Sequence, residues 1–117
     1  MKHILPLLAL ITTPALSDQP VIEAAVATPS GDAWRIDVTL RHPDTGWDHY
    51  ADGWEVLAPD GTSLGLRVLV HPHVEEQPFT RSLGGVVVPS GADHVMISAR
   101  CLTDGWAEAL FRVDLPG

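Results

Sequence analysis

Lysine occurs once, at position 2, and cysteine once, at position 101; tyrosine also occurs once and phenylalanine twice. A single thiol excludes an intramolecular disulfide, so in any compartment the fold must be held by its apolar core. The missing lysines leave six arginines facing fifteen carboxylates beyond Lys2, and an acidic surface of that kind repels nucleic-acid backbones and anionic membranes. No apolar run approaches the roughly 20 residues needed to cross a bilayer. No segment carries the three-and-four spacing of an amphipathic helix. G-x-S-x-G elbows, glycine-rich phosphate loops and the zinc-protease helix motif are all missing, which removes the common hydrolase and nucleotide-binding classes.

What the first residues do contain is a short basic start (Lys2, His3), an apolar stretch from Ile4 to Ile11 and a small-residue exit at Ala15-Leu16-Ser17. This is the pattern of a secretory signal peptide over residues 1–17, with cleavage expected between Ser17 and Asp18. No cysteine adjoins that cut, so a lipid anchor is not expected. The remaining 18–117 is long enough for one domain and too short for two. The expected location is periplasmic or secreted.

The rest of the chain alternates with period two. Trp34, Ile36, Val38 and Leu40 face away from Arg35, Asp37, Thr39 and Arg41; Trp54, Val56 and Ala58 repeat the pattern, as do Val95, Ile97, Ala99 and Cys101. Each reads as a strand with one buried face. Leu64, Leu66, Val68 and Val70 predict the inward row of a further strand, with His71 and His73 on its other face. Phe79, Arg81 and Leu83 form another alternating set. Ala107, Ala109, Phe111, Val113 and Leu115 predict the last inward row. Turn signals at Pro29 to Asp32, Pro59-Asp60-Gly61, Pro89-Ser90-Gly91 and Thr103-Asp104-Gly105 separate these segments. About seven short strands in some 100 residues predict an all-β, immunoglobulin-like antiparallel sandwich.

The chemically densest stretch is Val70 to Ser82, VHPHVEEQPFTRS. On an extended strand His71 and His73 leave the same face with Cα atoms ~6.5 to 7 Å apart, near enough for two imidazoles to share an ion. Glu75 keeps their parity, Glu76 replaces it if the chain turns, and His49 is the distant ligand that would complete the set. Imidazoles with a carboxylate suit Zn or Cu better than Ca or Mg. The competing reading makes both histidines ordinary edge residues, with Glu76, Gln77 and Arg81 forming a structural network beneath the loop.

Three further patterns bear on function. His71-x-His73 with Pro89 to His94 has a cupin-like outline, but only twenty residues separate His73 from His94 and the chain is short for that barrel. Trp47, Tyr50 and Trp54 make an aromatic-rich stretch, of which Trp47 and Tyr50, with Arg81, are weak ligand-binding candidates and Trp54 a core residue. Cys101, inward in an apolar strand, reads as a packed and inert thiol.

The DHYADGW and HPHVEEQPFTRS segments, within Trp47 to Leu83, resemble a family of uncharacterised small exported bacterial proteins. The resemblance implies a secreted β-domain and brings no activity or site residues with it. The leading expectation is therefore a small exported binding or accessory module, not an enzyme, with an unidentified protein or small ligand as partner. Its metal candidates are His49, His71, His73, Glu75 and Glu76. The alternatives are a small periplasmic metalloenzyme at the same histidines, and a structural or protein-interaction domain without metal.

Overall fold

The computed structural model describes residues 19–116; the expected signal peptide and its cleavage point lie outside them. Eight strands follow in order: β1 (Val21–Ser30), β2 (Ala33–Arg41), β3 (Ala51–Leu57), β4 (Ser63–Val68), β5 (Phe79–Val86), β6 (His94–Cys101), β7 (Gly105–Trp106) and β8 (Phe111–Asp114). They form two antiparallel sheets. One has the order β1-β2-β5; the other runs β4-β3-β6, with β7 and β8 both pairing to β6. This is the expected all-β, immunoglobulin-like sandwich. No helix among the described residues is long and apolar enough to cross a membrane.

The alternation sets which atoms meet between the sheets. Ile36, Val38 and Leu40 of β2, Trp54 and Val56 of β3, and Val95, Ile97 and Ala99 of β6 are all fully buried, joined by Phe79 and Val86 of β5 and Val113 of β8. Burying a side chain of this size contributes about 1.5–3 kcal/mol, and without a disulfide this core carries the stability. In the β2–β5 ladder, Trp34 pairs with Val86 but Ile36 with Leu83, so β5 holds one extra residue at Gly84-Gly85. Gly85 adopts φ 65°, a left-handed value that lets the bulge form without a Cβ clash.

Two expectations need correction. The inward row expected from Leu64 to Val70 holds only at Leu64, which packs on the core: Leu66, Val68 and Val70 are exposed whereas Leu69 is buried. Pairing dictates this, since Arg67 lies opposite Trp54 and Gly65 opposite Val56, and directly paired residues share a face. Both rows of this edge strand carry apolar residues, so hydrophobicity alone points to the wrong one. Arg67 keeps its inward place because an edge position lets its guanidinium reach the Val68 carbonyl at 3.1 Å. The last strand is also interrupted. β7 and β8 occupy successive stretches of the β6 edge, and the expected inward Ala109 between them is exposed.

Gly65 sits where the sheets approach closely. A Cβ there would come 2.9 Å from Leu83 Cδ2, the flexible end of its side chain. Gly65→Ala is therefore expected to cost less than about 1 kcal/mol, while Gly65→Val, which Leu83 cannot evade, should cost about 1–3 kcal/mol. Urea midpoints of the two variants check this.

Three connections converge at one end of the sandwich: residues 42–50 between β2 and β3, 69–78 between β4 and β5, and the turn after Cys101. Leu102 N–H donates to the Tyr50 carbonyl at 2.9 Å, and His73 N–H to Asp44 Oδ2 at 2.7 Å.

Candidate metal centre

His42 extends the inward row Ile36, Val38, Leu40 one step beyond β2, and Cys101 closes the inward row Val95, Ile97, Ala99 of β6. Strand parity therefore aims both at the same end of the interior. His49 reaches that point from a tight turn, in which Thr45 N–H bonds the His49 carbonyl at 3.0 Å and His49 N–H bonds the Gly46 carbonyl at 3.2 Å. One ligand-capable atom from each of His42, His49 and Cys101 lies within 4.8 Å of the others. The His42 and His49 ring centroids are 4.8 Å apart.

Hydrogen bonds select which imidazole nitrogen each ring presents. His42 Nδ1 lies 2.6 Å from Asp44 Oδ1. An ionised carboxylate only accepts, so Nδ1 carries the proton and Nε2 the lone pair. That Nε2 is buried with no hydrogen-bond partner, an arrangement that costs roughly 1–3 kcal/mol if nothing satisfies it. For His49, Nδ1 lies 2.8 Å from Thr103 Oγ1, whose hydroxyl donates to the Asp48 carbonyl at 3.3 Å. With the proton on Nδ1, Thr103 accepts from it while donating to Asp48, and Nε2 is then the basic nitrogen here too.

Cys101 is fully buried. Asp104 N–H donates to its sulfur at 3.3 Å, and Asp104 Oδ2 stands 3.6 Å away. Burial, more than any other influence, pushes the thiol above its ordinary value, so at neutral pH the thiol is protonated and a metal would have to displace its proton. Two imidazole nitrogens and a sulfur make a donor set for a borderline-soft ion such as Zn or Cu.

The other candidates assemble around a neighbouring hollow of about 500 Å³, lined by His71 to Glu76 and Arg81. His71 and His73 do meet, with ring centroids 4.5 Å apart, although the segment carrying them is not a strand. His71 is exposed. His73 is buried and stacked on Phe79 at 3.9 Å. Its Nε2 lies 2.7 Å from Arg81 Nη2, and since arginine only donates, that nitrogen is the acceptor. Arg81 also donates to Glu76 Oε1 at 3.2 Å, while Glu75 is exposed. Trp47 is exposed and meets Tyr50 edge-on at 5.8 Å. His49 belongs to the cluster with His42 and Cys101, a set that contains none of His71, His73, Glu75 and Glu76.

Cys101 is buried as expected, whereas His42 is not among the expected ligands and its place in the interior comes from the structure. Parity does not reveal that the two rows end face to face. The signal that points to them is a histidine continuing an otherwise apolar inward row, where a leucine or valine would pack at lower cost.

His73 provides a pH test. Burial first, then the Arg81 guanidinium and His71, holds its imidazole below the ordinary value of 6.5. The unfolded chain then binds this proton more readily than the native one, so stability rises with pH up to about 6.5 and is lost as pH falls below it. The urea midpoint is expected to drop between pH 7.5 and 5.5, and to drop less in His73→Gln.

No protein-family model matches the chain, and no solved structure matches it. Over 99 residues it is 36% identical to a protein of Halomicrobium mukohataei named "Putative lipoprotein", an alignment covering 85% of this chain and 48% of that protein. The chain thus spans about half the length of this relative.

Proposed function

We propose that this chain is an exported binding or accessory module in which His42, His49 and Cys101 hold one transition-metal ion of the zinc or copper class. The observation that carries the reading is the convergence of three donors from separate segments, within 4.8 Å of one another, with the His42 ring hydrogen-bonded to Asp44 so that Nε2 is its basic nitrogen. Export is supported by the leader-like residues 1–17 and by the name of the Halomicrobium relative.

Two imidazoles and a thiolate serve zinc and also the trigonal copper centre of the electron-transfer type, which adds a weak axial ligand, a methionine or an oxygen. Met96, the methionine among the described residues, lies on the row of β6 opposite to Cys101. Three protein ligands and a fourth open position also suit a catalytic zinc site, which keeps a small metalloenzyme as the second reading.

Titration of Co(II) or Zn into tag-free protein tests this. One equivalent should bind, His42→Ala should abolish tight binding, and the His71→Ala/His73→Ala double variant should retain it. The reverse pattern would move the ion to the His71–Glu76 hollow, and absent binding in the unaltered protein would leave a structural or protein-interaction domain.

A further inference from the structure

We propose that Asp44 is the positioning residue of this centre and that it couples the His71–Pro78 segment to the metal. The inference rests on the metal reading above. Asp44 is a carboxylate whose side chain has no exposed surface, held by three donors. Oδ1 accepts from His42 Nδ1 at 2.6 Å and from Ala51 N–H at 3.0 Å; Oδ2 accepts from His73 N–H at 2.7 Å. Gln77 doubles the link, accepting from His42 N–H at 3.0 Å and donating to the His73 carbonyl at 2.8 Å.

Two physical arguments follow. A buried carboxylate is costly without positive charge nearby, and the His42 ring against Asp44 Oδ1 brings none while its Nε2 keeps a lone pair. An ion on His42 Nε2 would supply that charge through the ring and polarise the Nδ1–H toward Oδ1. In turn Asp44 makes Nε2 more basic and fixes the ring's rotation, as carboxylates behind metal-bound histidines do. Because Oδ2 of the same carboxylate holds the His73 amide, occupancy of the centre is felt in the loop that carries His71 and Glu76. The dense HPHVEEQP stretch then acts as the outer brace of the centre, supplying backbone groups and Gln77 to it.

The test uses the full-length folded protein and Co(II), whose thiolate-to-metal charge-transfer band reports the Cys101 bond. Asp44→Asn keeps the volume, but its amide can donate to His42 Nδ1 and so favour the wrong tautomer. Co(II) affinity is expected to fall about 10- to 100-fold, with the His42 nitrogen shifts in the metal-free protein moving from Nδ1–H toward Nε2–H. In the unaltered protein, Co(II) should slow hydrogen exchange of the His73 amide. Normal affinity in Asp44→Asn, with the unaltered protein binding Co(II), would overturn the inference and leave the metal reading standing. Failure of the unaltered protein to bind would overturn both. If Asp44→Asn does not fold, the unaltered protein decides: a His42 ring protonated at Nε2, or a His73 amide indifferent to Co(II), refutes the proposal.

Discussion

Replacing Cys101 with serine is expected to lower affinity for Zn or Co(II) by more than about 100-fold and to remove the charge-transfer band. The thiolate is the one soft, anionic donor of the set, and loss of such a ligand should exceed the 10- to 100-fold that second-layer changes cost. The substitution is small. Serine keeps an atom that the Asp104 amide can reach, so the fold should survive with a loss of about 1–2 kcal/mol, in the ordinary range for one buried change. Thermal melts of the metal-free forms separate the two effects: a modest shift in melting temperature with a large loss of affinity is the expected pattern. An equal affinity in the serine variant would place the ion elsewhere.

Trp54→Ala is expected to have the largest effect on stability, about 3–5 kcal/mol. Trp54 is the largest fully buried side chain, on the strand flanked by β4 and β6. A domain of this size has roughly 5–15 kcal/mol in total, so the variant should unfold at a much lower urea concentration with an unchanged slope. The indole Nε1 is buried without a hydrogen-bond partner. Trp54→Phe removes that unpaired donor along with part of the volume and should cost clearly less than alanine. Trp106→Ala is the control: its ring is exposed and touches Arg100 with the guanidinium carbon 5.4 Å from its centroid, and a change of no more than about 0.5 kcal/mol is expected.

These two residues also show how much the sequence discloses. Trp54 could be placed in the core from alternation alone, because Glu55 stands on the other row of β3 and Val56 follows Trp54 on its own row. The same logic ordered Ile36 to Leu40 and Val95 to Cys101 correctly. It fails on β4, where leucines and valines occupy both rows and only pairing with Trp54 decides that Arg67 turns inward. Strand ends limit it further. His42 and Cys101 belong to different sheets and stand 59 positions apart along the chain, and alternation within a strand carries no information about where two sheets meet. The density of VHPHVEEQPFTRS drew attention to side chains, yet its link to the centre runs through a backbone amide and Gln77. Backbone donors leave no mark in residue type.

The most direct test of the account is X-ray absorption at the zinc edge on the zinc-loaded protein. A three-donor centre at His42, His49 and Cys101 predicts one sulfur at about 2.3 Å and two imidazole nitrogens at about 2.0–2.1 Å, with any fourth scatterer a light atom. A first shell of nitrogen and oxygen without sulfur would contradict it.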